Sequence, residues 1–233
     1  GGNGSGKSTI SKIIGGLYRK DEGSISLNGR EINVNSPREA KKERIVVTSQ
    51  ELSLMDNFTV AENICMGKLP KRGIWIDKNK IREMAEEVLA QCGLQGYGNR
   101  AVDSLKENEK YLVEFAKAII SEPAVLILDE ITSALYKEDV ETLYGVLRKL
   151  KEKGVITIFI SHRMNEIFQM SDKVTVLRNG EFIDTYETDK VSENELLFAM
   201  TGQKLGEAVK EKKEPVLQED GDVLLSVKNH VLK

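Results

Sequence analysis

Two periods of apolar residues alternate along the chain. Ile10, Ile13, Ile14 and Leu17 follow a glycine-rich opening at i, i+3, i+4, i+7, which is one face of a helix that Gly15-Gly16 weakens at its end. Ser24 to Ile32 holds two short alternating stretches around Asn28-Gly29, a hairpin signal. Ser36-Pro37-Arg38-Glu39 supplies a cap, a first-turn proline and a capping-box glutamate, so a short helix begins there. Ile45 to Thr48 reads as a brief buried strand running into Ser49-Gln50. From Glu51 to Asp103 the pattern is of helices and loops. Thr59 and Glu62 form a capping box, and Asp77 opens a helix with Ile81, Met84, Ala85, Val88, Leu89 and Cys92 on one face, closed by Gly93.

Further along, Leu112, Phe115, Ala116 and Ile119 repeat the helical spacing before Pro123. Val125 to Leu128 is a continuous apolar run ending in Asp129-Glu130, as a strand buried on both faces reads. Val140, Leu143, Leu147 and Leu150 mark the next helix, and Val155 to Ile160 a second buried strand ending at Ser161-His162. Val174 to Leu177 and Phe182 to Thr185 flank Asn179-Gly180 as a hairpin, and a capped helix runs from near Ser192 to Thr201-Gly202. Strands alternating with helices predict an α/β fold with a mainly parallel core sheet and antiparallel hairpins. Residues 204–221, charged and containing Pro215, read as a linker, and Val223 to Val227 as the start of another strand. With no initiator Met and no strand ahead of the glycine-rich loop, the chain reads as a fragment expected to bind nucleotide weakly on its own.

Composition narrows the function classes. No apolar run is long enough to span a bilayer, and the first residues do not resemble a signal peptide. A net charge of -3 supplies no basic field for nucleic acid. Cys65 and Cys92 lack metal-ligand or redox spacing and read as buried small hydrophobes.

The candidate chemistry starts at the first residue. Gly1-Gly2-Asn3-Gly4-Ser5-Gly6-Lys7-Ser8-Thr9 matches G-x-x-x-x-G-K-[ST]. Glycines let backbone N–H groups wrap phosphates at a helix N-terminus, Lys7 reaches the β- and γ-phosphates, and the Ser8 hydroxyl suits Mg²⁺. The helical face that follows at once is the context this motif requires. Asp129-Glu130 alone would be an ordinary solvated pair at a strand end. Beside a phosphate loop, Asp129 suits Mg²⁺ and Glu130 the attacking water. Gln50 and His162 each follow a strand, at the edge where ligands collect in α/β sheets.

Together these segments resemble the ATPase subunits of ABC transporters, in the family's order and over Gly1 to about Gln203. Gln50 resembles the Q-loop glutamine, Val125 to Glu130 the Walker B strand, Ser133-Ala134-Leu135 the D-loop and His162 the switch histidine. Thr48 to Leu54, Thr59 to Ile64, Val113 to Ala118, Ile160 to Arg163, Val174 to Gly180 and Met200 to Gly202 are similar to the monosaccharide (ribose/galactose/xylose-type) importer branch. That branch implies two tandem ATPase domains in one polypeptide, with 1–203 as the first domain, a helical insert over about 51–120, a linker at 204–221, and 222–233 opening the second domain. It further implies ATP and Mg²⁺ as ligands, with Ser8, Gln50 and Asp129 around the metal and Glu130, His162 and Gln50 in hydrolysis. The implied partners are the second ATPase domain, membrane permease subunits and, indirectly, a sugar-binding protein, with no nucleic acid. The implied location is the cytoplasmic face of the membrane.

One segment departs from the family. Where the signature reads LSxGQ, this chain has Leu105-Lys106-Glu107-Asn108-Glu109. A carboxylate a few ångströms from a phosphate costs about 1 kcal/mol in water and about 4 kcal/mol where screening is partial. The two ATP sites of the resembled assembly are therefore expected to be unequal. Tyr136, where the D-loop often has a small polar residue, is a lesser departure. The expected function is ATP hydrolysis driving sugar import. The competing readings are a non-transport ABC ATPase and a non-hydrolysing regulatory half.

Overall fold

The computed structural model describes residues 4–48, 52–72 and 75–202. Gly1 to Asn3, Ser49 to Glu51, and the linker and second-domain strand expected beyond residue 202 lie outside the described residues. The first half holds α1 (Lys7–Ile14), the pair β1 (Ile25–Leu27) and β2 (Arg30–Ile32), α2 (Pro37–Lys42), β3 (Ile45–Thr48), α3 (Val60–Cys65), β4 (Lys71–Arg72), β5 (Trp75–Ile76) and α4 (Lys78–Gln91). Then follow α5 (Glu107–Ile119), β6 (Val125–Asp129), α6 (Lys137–Glu152), β7 (Ile156–Ile160), α7 (Met164–Met170), β8 (Lys173–Arg178), β9 (Glu181–Glu187) and α8 (Glu193–Thr201).

Local capping sets most helix starts. The Ser36 hydroxyl accepts the Glu39 N–H at 3.4 Å ahead of α2. Thr59 accepts from the Glu62 N–H at 3.2 Å, and the Glu62 carboxylate accepts the Thr59 N–H at 3.0 Å, a reciprocal pair that opens α3. The Thr59 N–H first, and second the Thr59 hydroxyl, which donates to the same carboxylate at 2.9 Å, hold the Glu62 carboxyl below its usual range. Asp77 accepts from the N–H groups of Asn79 and Lys80 ahead of α4, and Ser192 with Glu195 forms the box of α8. Gly16 is required by a close approach: a Cβ there would lie 2.4 Å from the Ser36 carbonyl oxygen, so the end of α1 touches the backbone that caps α2.

The core sheet is parallel, in the order β3–β6–β7, with Val125 opposite both Ile45 and Ile156. Because β6 is central, its alternating side chains feed two clusters. Leu126 and Leu128 join α3, α4, α5 and α6, while Val125 and Ile127 pack with Ile32, Val34, Ala40, Ile45 and Ile160. A third cluster, Val176, Val191, Leu196 and Ala199, seats α8 against β8. The hairpins β1–β2 and β8–β9 are antiparallel, with their turns at the Asn-Gly pairs.

The structure corrects two expectations, the absence of strands from Glu51 to Asp103 and the burial of β7. A further antiparallel pair, β4–β5, stands among the helices after Glu51, with Trp75 exposed at 75%. The apolar face of α1 is partly buried, with Ile13 and Ile14 half-buried and Ile14 packed against the cluster of Val125 and Ile127. Ser11 is its buried residue, Ile10 is 44% exposed, and Leu17 lies beyond the helix end. Likewise β7 is buried only at Ile160, and Ile156 is 45% exposed. One reason covers both: β7 is an edge of the core sheet, and α1, β7 and β8 border an open groove of about 1060 Å³ lined by Ile10, Ile14, Ile156, Ile158, Val174 and Val176.

Both cysteines are buried, and burial pushes the Cys92 thiol up to about 12 and raises that of Cys65 as well. Thiol reagents attack the thiolate, so both side chains are expected to stay unmodified in folded protein at about pH 8 and to react within seconds of unfolding, read by absorbance with a chromogenic disulfide. Rapid reaction of either thiol in the native state would contradict the packing of α3 and α4. Among the described residues the buried Tyr144 hydroxyl has no hydrogen-bond partner. Tyr144→Phe removes an unpaired group, and its melting temperature is expected to stay level or rise by about one to two degrees.

Candidate functional site

The glycine-rich loop enters α1 through Gly6, whose φ of 93° is open to glycine alone and whose absent Cβ would meet the Gly180 Cα at 3.5 Å. No side chain caps α1, and no acidic residue stands in its first turn. The first intrahelical bond runs from the Ile10 N–H to the Gly6 carbonyl, so the preceding N–H groups of the turn have no helical acceptor. A helix start of this kind favours an anion. The Lys7 ammonium bends back over the loop and donates to the Ser5 hydroxyl at 3.0 Å. Ser8 and Thr9 are exposed beside it, and Gly4 has φ of 79°.

The ends of β6 and β7 supply the second set. Asp129 closes β6, half-buried. Glu130 follows in the left-handed region, φ 51°, with its N–H donating to the Ile160 carbonyl at 3.0 Å. That bond extends the parallel ladder by one residue and turns the Glu130 side chain toward the loop after β7. There the His162 Nδ1 lies 3.4 Å from Glu130 Oε1. Two residues that are 32 apart in sequence thus meet at the carboxyl edge of the sheet. Lys7 and Ser161, the neighbour of His162, line the same groove. Of the sequence-predicted residues, Gly1, Gly2, Asn3 and Gln50 lie outside the described residues.

Behind this edge lies a residue that sequence reasoning missed. Glu166, on α7, is 6% exposed. Its carboxylate accepts from the Thr132 hydroxyl at 2.8 Å, the Ser161 hydroxyl at 2.5 Å and the Arg163 guanidinium at 3.2 Å. The helix α7 is only seven residues long and has no side-chain cap, so its pattern was too brief to read. Nearby, burial first and the Glu166 charge second push the Tyr144 phenol up to about 12.

The segment from Leu105 to Glu109 lies at the start of α5 and faces different partners. Leu105 is buried, and Lys106 is the exposed cap residue. Glu107 and Glu109 fill the first turn. Glu109 accepts the Lys106 N–H at 2.8 Å and the Tyr97 hydroxyl at 3.1 Å. The Asn108 side-chain amide donates to Asp139 at 2.9 Å, and the same carboxylate oxygen accepts the Tyr136 N–H at 3.2 Å ahead of α6. This helix start holds its own carboxylates, whereas the first turn of α1 has no acidic residue. Tyr136 itself is 67% exposed.

Comparison with known proteins bears on the family and the fold. The chain is 38% identical over 231 residues to the ribose import ATP-binding protein RbsA of Halalkalibacterium halodurans, covering 98% of this chain and 46% of that protein. It is 43% identical over 204 residues to the ribose import ATP-binding protein RbsA 1 of Mesorhizobium japonicum, covering 87% of this chain and 40% of that protein. The chain therefore spans about half the length of the curated relatives it matches. Among solved structures, the ATP-binding cassette of an ABC transporter superposes with a TM-score of 0.72 at 26% identity over 84% of each chain. A nucleotide-free cassette superposes at 0.73 and 24% identity, covering 87% of this chain and 86% of the other. The family model described as ABC transporter matches residues 1–133, from the phosphate loop through the turn after β6, and with more than half of its length inside that match the chain belongs to the ABC transporter family.

Proposed function

We propose that the chain is the nucleotide-binding part of an ATP-driven sugar importer that binds ATP through Gly1 to Thr9 and hydrolyses it beside Glu130. The observation that carries this reading is the convergence at one edge of the sheet. The start of α1 brings Lys7 to the groove that Ser161 also lines, and next to Ser161 a histidine lies 3.4 Å from a glutamate at the end of the adjacent strand. Transport of a sugar is supported by the relatives' names as ribose import ATP-binding proteins.

In this reading residues 1–203 form one ATPase domain with a helical insert over about 51–120, residues 204–221 are a linker, and 222–233 open a second ATPase domain of the same polypeptide. The relatives' greater length, of which this chain covers 46%, supports a tandem arrangement. Two such domains close head to tail on two ATP molecules. The helical insert contacts the permease subunits, a sugar-binding protein acts through them, and the assembly works at the cytoplasmic face of the membrane. Among the described residues no helix is long and apolar enough to cross a membrane.

Lys7 and the amides that open α1 bind and neutralise the phosphates. The donor set of Ser8, Gln50 and Asp129 suits Mg²⁺. Among the described residues no group of three or more His, Cys, Asp or Glu is placed to cage a metal, and Mg²⁺ takes one or two protein oxygens and keeps water and phosphate for the rest. Held there with the nucleotide, Mg²⁺ would supply charge neutralisation to the phosphates. Glu130 orients the attacking water. With Nδ1 of His162 turned to Glu130, Nε2 is the ring nitrogen left to face the γ-phosphate.

Unequal ATP sites are supported by the start of α5, where Lys106, Asn108 and Glu109 stand at the signature's serine, glycine and glutamine positions and two carboxylates fill the first turn. In the full-length protein, Glu130→Gln is expected to lower turnover at its site by at least about a hundredfold while leaving ATP binding intact, measured by phosphate release and nucleotide titration. Wild-type turnover in that variant would sink the assignment. In the same background, the combined change Lys106→Ser, Asn108→Gly and Glu109→Gln is expected to raise the residual hydrolysis. A residual rate that does not respond would remove the asymmetry.

A further inference from the structure

We infer that Glu166 is a positioning residue that sets the separation of Glu130 and His162, and so the rate of hydrolysis rather than the affinity for nucleotide. The inference rests on the reading of Glu130 and His162 as the hydrolytic pair. A carboxylate only 6% exposed needs donors around it, and those of Glu166 come from the two segments that carry the pair. Thr132 lies in the single turn Ile131–Ala134 that Glu130 itself caps. Ser161 immediately precedes His162. The Glu166 Oε2 accepts from both hydroxyls, at 2.8 and 2.5 Å, and so ties the residue two after Glu130 to the residue one before His162.

Two more bonds bracket the histidine. The Ser161 hydroxyl also accepts the Arg163 N–H at 3.0 Å, and the Arg163 guanidinium donates to Glu166 Oε1 at 3.2 Å. His162 is thus flanked on both sides by residues held on one carboxylate, while its own ring is 57% exposed. The contact it makes with Glu130, at 3.4 Å, is at the long limit of a hydrogen bond, where a shift of a few tenths of an ångström breaks it. Thr132 is 2% exposed, so the tie runs through packed structure and not through solvent.

Glu166→Gln keeps the shape and removes the charge that draws in the three donors. In the full-length protein, kcat per bound nucleotide is expected to fall about tenfold, with the dissociation constant for ATP unchanged, since misplacement of a positioned group costs rate and not ground-state binding. Normalising to nucleotide-binding stoichiometry separates this loss from loss of folded protein. Thr132→Val and Ser161→Ala each remove one donor and leave the carboxylate. They are expected to lower kcat in the same direction, and they keep the test decisive if Glu166→Gln does not fold. Wild-type kcat per bound nucleotide in Glu166→Gln, or in both donor variants where that protein is unfolded, overturns the inference. If Glu130→Gln and His162→Ala themselves turn over at the wild-type rate, it is the assignment of the pair that fails.

Discussion

The bond from the Glu130 N–H to the Ile160 carbonyl is the constraint on which the site depends. Parallel strands pair through slanted, evenly spaced bonds, and here the ladder between β6 and β7 continues one step past the end of β6. The chain must then turn at once, and Glu130 takes up the left-handed conformation, which costs a side-chain-bearing residue of order 1–3 kcal/mol. The surrounding packing holds it there: Val125 to Leu128 are buried on both faces of the sheet. A carboxylate and an imidazole at the ends of two separate strands meet because the strands beneath them are rigid.

Two helix starts show how the same backbone geometry serves opposite ends. At α1 no acidic residue stands in the first turn and the cap residue is a glycine, and Lys7 adds charge of the same sign as the helix end. At α5 the chain has filled the equivalent position with Glu107 and Glu109 and has tied Asn108 to the start of α6. Those carboxylates stabilise α5 as a helix, in line with its dipole. The stability of α5 and the reception of an anion are in direct competition at that end, and this sequence favours stability.

Features encoded within four or five residues were legible in the sequence. The caps at Ser36, Thr59, Asp77 and Ser192 and the Asn-Gly turns need only local chemistry, and the structure has them where the residues stand. The alternation of strand and helix was legible too, because β6 is apolar from Val125 to Leu128. What failed depended on neighbours far along the chain. An apolar run does not say which strand lies at an edge, so the exposure of β7 was missed. Glu166 reads as one more charged residue on a short helix. One of its three donors is Thr132, 34 positions away, a neighbour that the local pattern does not signal. The hairpin β4–β5 has strands of two residues, too short for any period to register.

That hairpin gives the protein an unusual optical property. The sequence contains a single tryptophan, and it is Trp75, standing three-quarters exposed on β5 and away from the packed clusters. Indole emission from this chain therefore reports water at one surface ribbon and is nearly blind to the interior. Melting of the sheet and its helices would pass with little change in that signal, whereas any surface that settles over the ribbon would shift it to the blue.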